Sequence, residues 1–446
     1  MNNLKAGFGR LVINPEEGTP IAGYYKPRFV EGILDDLEVN ALSLSDGKET
    51  VLIIAVDNCG LRMELLDDYR VAISEETGVP FENIIICSTH THTGPSTKDV
   101  DKCEKTEKYM AFLKERIKEV SLLAVSDLTD AKMGYGVGEA KNISFGRRYV
   151  MKDGSIKTNP GVNNPDIVRP LGEVDERVSV LRFDRTDGKT LIFTNFTTHP
   201  DVVGGSKISS DWPGLTRRCV EKVIDNSLCI VVNGAEGDVN HVNVNPKGGD
   251  FNGMFNDFDD VARGYSHAQH MANVVTGGVL QCFAKVNYVD VEKISAKAKV
   301  MLVASNMPKP SDMAEAHRIN ELHKAGKDDE IPYTGMMLTT VVAEAARMVA
   351  LEHGPESFPM NINAVSLGKV AFVTIPGEGF TNIGLALKDT EGFGMVIPIG
   401  LANGYEGYFP MKDSYEEGGY EARSSRFRAG VAEHIIDEGK ALIKSL

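Results

Sequence analysis

The sequence predicts an α/β fold, on three observations. A β-hairpin, a helically spaced segment and a further strand follow one another between residues 37 and 88. Polar residues collect at the ends of the apolar strands, the usual place for a site in such a fold. Helical spacing then returns in long segments, 104–126 and 431–445 among them.

Composition is that of an ordinary globular protein: 446 residues, 42% hydrophobic and 25% charged. The formal charge is −15, with no basic run interleaved with aromatics. That field opposes contact with phosphates and anionic lipid, so neither nucleic-acid binding nor stable membrane association is expected. The amino-terminal MNNLKAGFGRLVINPEEG lacks a secretory apolar core and no membrane-spanning run follows, so the expected location is cytoplasmic. The six cysteines contain no C-x-x-C pair and read as reduced thiols, not as a thiolate zinc site.

In chain order, GFGRLVINP and GTPIAGYY alternate glycines with short β runs. Residues 37–45 and TVLIIAVDNCG form a hairpin across Asp46-Gly47, and helical spacing over 63–76 stops at Gly78-Val79-Pro80. Ile84, Ile85 and Ile86 are apolar on both faces, as in a buried strand, here predicted over 83–87. This strand empties into STHTHTGPS, where His90 and His92 would share one side of an extended chain. That spacing suits one metal ligand with a neighbour beside it; two hydrogen-bonded histidines at a loop entrance give the same local pattern.

After the helix at 104–126 come a strand in AKMGYGVG, the irregular NISFGRR with Arg147 and Arg148, readable as surface charges, and a hairpin at Asp153-Gly154. A hairpin across residues 186–188 then delivers Thr197, Thr198 and His199 at a strand end before Pro200. ISSDWPG precedes a helix over 215–223. LCIVVNGAEGDVNHVNV is a buried strand and a polar loop, either an ordered turn or a close backbone approach to a ligand. Residues 246–260 read as a long exposed loop or lid, and 261–285 as a helix whose His267 and His270 face solvent or cap it. A strand at 290–302 follows, then helices at 311–325, carrying His317 and His323, and at 338–351.

A hairpin over Gly368 ends in Pro376-Gly377-Glu378-Gly379 before a helix from about Thr381. Glycines free the backbone around Glu378, which taken alone reads equally as a surface turn; beside His90 and His199 it would supply the third ligand, since catalytic zinc draws its ligands from distant sequence in this way. Tyr405, Tyr408, Tyr415 and Tyr420 then lie among glycines and acids, too many for core filling alone, since each buried hydroxyl needs a partner.

STHTHTGP at 88–95, TTHP at 197–200, NGAEGDVN at 233–240, PGEGFT at 376–381 and LANGYEGY with SYEEGGYEA at 401–422 together resemble the neutral, non-lysosomal ceramidase family. The resemblance spans nearly the whole chain and implies mixed β-sheets covered by helices, with residues 1–446 forming one catalytic domain without the family's carboxy-terminal immunoglobulin-like domain. It implies a zinc ion held by His90, His199, Glu378 and Tyr408, with His92 beside it and Tyr420 and Arg147 lining the reacting carbonyl. The family's GDVSPN reads GDVNHVN here, which puts Asn240 at a serine position and makes Asn240 and His241 a candidate substrate loop. The expected function is zinc-dependent hydrolysis of a carboxamide bond in a small, soluble N-acyl substrate. Ester or lactone hydrolysis, true ceramidase activity and non-catalytic ligand binding are the alternatives.

Overall fold

Strands that are apolar on both faces need cover on both, and the architecture supplies it in four layers. The computed structural model describes residues 3–97, 103–247 and 264–446. Among these, the larger sheet runs Ser227–Asn233, Thr190–Phe196, Arg177–Arg185, Thr129–Glu139, Lys5–Val12, Glu38–Ser45, Thr50–Val56 and Ile84–Ser88, with Asn287–Val289 paired to part of Thr129–Glu139. Its inner face packs on a second sheet, Ile294–Ala304, Ser357–Leu367, Val370–Thr374 and Met395–Ile399. Ile53, Ile85, Phe183 and Phe193 meet Val365, Phe372 and Ile397 in one apolar cluster between them. Helices Met63–Thr77 and Glu104–Ser126 cover half of the outer face, and Asp211–Val223 and Tyr265–Phe283 the other half. Thr381–Lys388 and Val431–Lys444 cover the far side of the second sheet. No helix among the described residues is long and apolar enough to cross a membrane.

Both ends of the large sheet are parallel pairs, which require crossover connections. Thr50–Val56 pairs with Ile84–Ser88 through Met63–Thr77, and Thr190–Phe196 pairs with Ser227–Asn233 through Asp211–Val223. The sheet curls until its two edge strands, Ser227–Asn233 and Ile84–Ser88, come against each other. Residues 400–403 close the seam: the Gly400 N–H donates to the Asn233 carbonyl at 3.0 Å and the Ser88 N–H to the Leu401 carbonyl at 3.2 Å. Asn403 completes it, accepting from the Ile86 N–H at 2.9 Å and donating to the Ile84 carbonyl at 3.2 Å and to Asn363 Oδ1 at 3.0 Å. Its φ of 56° lies in the left-handed region, which asparagine tolerates better than most residues.

The elements follow the sequence reading with three differences. The helix expected over 215–223 begins at Asp211, because Pro213 fits a first turn and the Asp211 carboxylate accepts from the Trp212 N–H at 2.6 Å. The strand expected over 290–302 runs Ile294–Ala304, set by its pairing with Ser357–Leu367. His267 is buried, its ring edge-on to His241 at 5.1 Å, so that face of its helix meets protein, not solvent. The segment read as a lid lies outside the described residues from position 248 onward.

Asn403→Ala removes all three side-chain bonds and leaves the buried Ile86 N–H and Asn363 Oδ1 without these partners, while the Ile84 carbonyl still accepts from Arg70 Nε at 3.0 Å. The expected loss is ~2–4 kcal/mol of stability, read from the urea midpoint at unchanged slope.

Candidate metal centre

The seam brings together two loops that start from strands far apart in sequence. After Ile84–Ser88 the chain turns sharply: Thr89 Oγ1 donates to the Asp57 carboxylate at 3.1 Å, and the His90 N–H donates to the Asn58 carbonyl at 2.9 Å. His90 itself has φ 72°, so the extended geometry expected across His90 and His92 does not occur. The turn replaces strand alternation in aiming the two rings, and a strained non-glycine residue of this kind is a common mark of a site. Asp57 is fixed in turn by Arg217, with Nη1 at 3.1 Å and Nη2 at 2.5 Å, a buried pair tying this corner to helix Asp211–Val223. The His92 N–H donates to the Pro200 carbonyl at 3.2 Å, which links the first histidine loop to the one that carries His199.

Glu378 arrives from a third direction. It pairs in parallel register with Tyr408, so their side chains are neighbours, and the Tyr408 hydroxyl hydrogen-bonds its carboxylate. The loop at 233–240 packs directly on this segment. A Cβ at Gly237 would lie 2.4 Å from the Glu378 carbonyl, so only glycine permits the approach. Asp238 Oδ1 accepts from the Thr381 N–H at 2.7 Å, holding the start of helix Thr381–Lys388.

The three side chains then converge. His90 Nε2 and His199 Nε2 are 3.1 Å apart, and Glu378 Oε2 lies 3.5 Å from the first and 3.3 Å from the second. Each ring is held from behind through Nδ1, His90 against the Cys59 carbonyl and His199 against the Glu236 carbonyl at 3.1 Å. With Nδ1–H donating, each Nε2 is turned toward the other and toward the carboxylate, the arrangement that backbone partners impose on metal-bound histidines. Glu378 Oε2 is buried and has no hydrogen-bond partner. His90, His199 and Glu378 are thus a group able to hold a metal ion. Cys59, His90 and His92 form a second possible group, but the Cys59 sulfur lies on the Nδ1 side of His90, at 3.9 Å, where the carbonyl already holds that nitrogen.

Electrostatics point the same way. Burial opposes ionisation of Glu378, yet His90, His199 and the Tyr408 hydroxyl hold its carboxyl well below the usual range. Burial likewise opposes charge on His90, but Glu378 outweighs it and raises the imidazole well above its ordinary value. Burial, with the charges of Arg147 and His90, lowers His199 to about 3. Burial and the charge on His90 lower His92 well below its ordinary value. Without metal the cluster therefore holds one proton, on His90.

The remaining site residues fall into two groups. His92, Tyr408 and Tyr420 line a cavity of about 220 Å³ above the cage, together with Tyr24, Tyr25 and Tyr405. His92 Nε2 is 3.3 Å from His90 Nε2, and the Tyr420 hydroxyl is 3.3 Å from that of Tyr25. Arg147 lies behind this wall: Nε reaches Glu421 at 2.7 Å, Nη2 reaches the Gly237 carbonyl at 2.7 Å, and the guanidinium hydrogen-bonds the Tyr408 hydroxyl. Asn240 donates to Asn159 Oδ1 at 3.0 Å, and His241 faces Asp201 at 3.1 Å; neither lines the cavity. Tyr415 is a strut, donating to the Phe427 carbonyl at 2.6 Å. Sequence reading missed Tyr24 and Tyr25, and the adjacent Gly23 was their available signal. At φ 104° Gly23 is packed so closely on His92 that a Cβ would lie 2.7 Å from its Cβ.

No family model and no curated protein matches the sequence. Solved structures do, and the class they define is that of the ceramidase-like α/β fold. The neutral ceramidase of Pseudomonas aeruginosa superposes with a TM-score of 0.74 at 16% identity, over 100% of this chain and 75% of that one. A ceramidase complexed with C2 gives 0.73 at 16% identity, over 100% and 76%. The chain therefore has the neutral ceramidase fold along its whole length.

A divalent ion entering the cage must displace the His90 proton. Binding at pH 7 is expected to release about one proton, with affinity falling as pH is lowered, because His90 is protonated below its raised pKa and must be neutral to ligate. Calorimetry in two buffers of different ionisation enthalpy measures the count.

Proposed function

We propose that this protein is a zinc-dependent hydrolase that cleaves the carboxamide bond of an N-acyl substrate. The observation that carries the reading is the pair of Nδ1-anchored imidazoles with Nε2 atoms 3.1 Å apart, facing a buried carboxylate oxygen with no other partner. The donor set suits zinc, which accepts two imidazole nitrogens and one carboxylate oxygen and leaves a position open for chemistry. His90, His199 and Glu378 would hold the ion, and Tyr408, bonded to Glu378, is the fourth candidate. A zinc ion so held supplies Lewis acidity toward a carbonyl and acidifies water toward neutral pH.

This chain's residues account for the remaining steps. His92 is neutral at pH 7 and opens on the cavity, so it takes the proton from the attacking water and passes it to the leaving nitrogen. The water oxygen ends on the acyl carbon, the C–N bond breaks and the amine departs with that proton. Tyr420 keeps its hydroxyl proton, its pKa being raised well above the ordinary value by burial and by Tyr25, and so can donate where the oxyanion develops. Arg147 acts through Tyr408, fixing its hydroxyl against Glu378. The cavity of about 220 Å³ over the cage has room for the reacting amide, with His92 and Tyr420 on its walls.

Elemental analysis and kinetics on a panel of N-acyl amines, esters and lactones test this reading. His90→Ala and Glu378→Ala should lose zinc, and full retention in both would remove the assignment. His92→Ala should keep zinc and lose turnover. Tyr420→Phe should keep zinc and fold while kcat falls by ~100-fold, the scale of one lost preorganised donor. Turnover of esters or lactones with no amide cleaved would move the reading to the ester alternative.

A further inference from the structure

One buried carboxylate behind the cavity wall has no task of its own in amide cleavage. Glu421 follows Tyr420 in the short helix Tyr420–Ser424 and is 0% exposed, and Arg147 and Arg148, readable from sequence as surface charges, are both buried beside it. A buried carboxylate is costly unless it is paired and hydrogen-bonded, so its partners show what it holds. Oε1 accepts from Arg147 Nε at 2.7 Å, and Oε2 accepts from Thr158 Oγ1 at 2.8 Å. Each oxygen leads to a different tyrosine. The Arg147 guanidinium passes on to the Tyr408 hydroxyl, which bonds Glu378. Thr158 Oγ1 in turn accepts from the Tyr420 N–H at 3.4 Å. The main chain repeats the connection: the Ser425 N–H donates to the Glu421 carbonyl at 3.1 Å, and Ser425 Oγ donates to the Tyr408 carbonyl at 2.9 Å.

The two tyrosines so joined have ring centroids 5.5 Å apart. Tyr408 belongs to the cage and Tyr420 to the space above it, and an oxyanion donor works only when it stands ~2.7–3.1 Å from the atom on which charge develops. The helix that carries Tyr420 has little rigidity of its own, being five residues long and entered through Gly418 and Gly419 at φ 81° and 97°. Its placement therefore comes from side-chain ties, and Glu421 is the tie that reaches both tyrosines. We propose, building on the amide-hydrolase reading, that Glu421 is a positioning residue, which sets the Tyr420 hydroxyl against the Tyr408 side of the cage so that donor and metal face the same atom.

The test compares wild type, Glu421→Gln, Tyr420→Phe and the double variant as zinc-loaded full chains. Glutamine keeps the size but offers one acceptor where two are needed, so one arm is cut. Glu421→Gln should retain zinc and lower kcat by ~10–100-fold with KM within about twofold, the range of a lost orienting contact. In the double variant the donor that Glu421 serves is already gone, so kcat should lie within about threefold of Tyr420→Phe alone, whereas independent roles would multiply. A second readout needs no turnover. Methylphosphonate, a tetrahedral anion for the open zinc position, should bind ~10-fold more weakly to Glu421→Gln and to Tyr420→Phe, and no more weakly again to the double variant. If Glu421→Gln does not fold, Thr158→Val, which cuts only the Oε2 arm, takes its place with the same outcomes expected. A lowered urea midpoint with kcat and phosphonate affinity unchanged overturns the proposal, and so does a multiplicative loss in the double variant. Weakened phosphonate binding in a chain that cleaves no amide keeps the positioning role and removes the amidase reading. Amide cleavage indifferent to Glu421→Gln does the reverse.

Discussion

Two imidazole Nε2 atoms at 3.1 Å, with a buried carboxylate beside them, tolerate one another only around a positive charge, a proton on His90 or a metal ion in its place. Much of the surrounding structure exists to keep those three groups from relaxing apart. The Cys59 and Glu236 carbonyls fix the ring tautomers from behind, and the parallel bridge to Tyr408 fixes the carboxylate. Behind these, the Asp57–Arg217 pair anchors the turn before His90 to a helix from the opposite end of the sheet. Breaking such a buried pair by removing one partner typically costs ~3–5 kcal/mol, so the corner is stiff. Stiffness matters here because a metal site displaced by a fraction of an ångström loses both affinity and the aim of its neighbours.

The division of labour among the polar side chains follows from depth. Groups beneath the cage serve geometry: Arg147 reaches the cavity only through Tyr408, and Asp238 serves the helix that follows Glu378. Groups above the cage open on space and are free to meet a substrate: His92, Tyr420, Tyr24 and Tyr25. The loop carrying Tyr24 and Tyr25 is itself tied to the site, since Arg28 Nη2 donates to the His92 carbonyl at 2.6 Å and its guanidinium stacks over Tyr24 at 4.2 Å. Its two tyrosines are therefore part of the same framework as the histidine, although they come from the loop that follows the first strand of the chain.

The cage was the most legible part in sequence. His90, His199 and Glu378 each leave an apolar strand and meet a glycine or proline stop, a setting absent from His317 and His323, which pair with Glu352 and Asp328 at 2.8 Å each. Tyr408 and Tyr420 were reachable only through family resemblance, because a tyrosine in a polar stretch can equally be a strut, as Tyr415 is. The carbonyls of Cys59 and Glu236 were not legible at all, since any residue offers the same carbonyl and only the fold decides which one is near. Helical spacing around His267 suggested a solvent face because the partner that covers it, His241, arrives from a separate loop. The Tyr25–Tyr420 contact joins residues 395 positions apart and leaves no local trace in the sequence.

The seam at 400–403 also has a consequence in time. Its bonds to Ile84 and Ile86 close loops of more than 300 residues, Ile86 to Asn403 spanning 317. Contacts of that span form late, after the entropy of a long chain segment has been surrendered. During synthesis His90 and His199 emerge well before the residues that hold their strand ends together, so through most of its assembly the polypeptide presents scattered histidines and no cage. A metal ion held by this cage would therefore be captured only after the far strands had docked, by an almost finished protein, and could not guide the chain toward it.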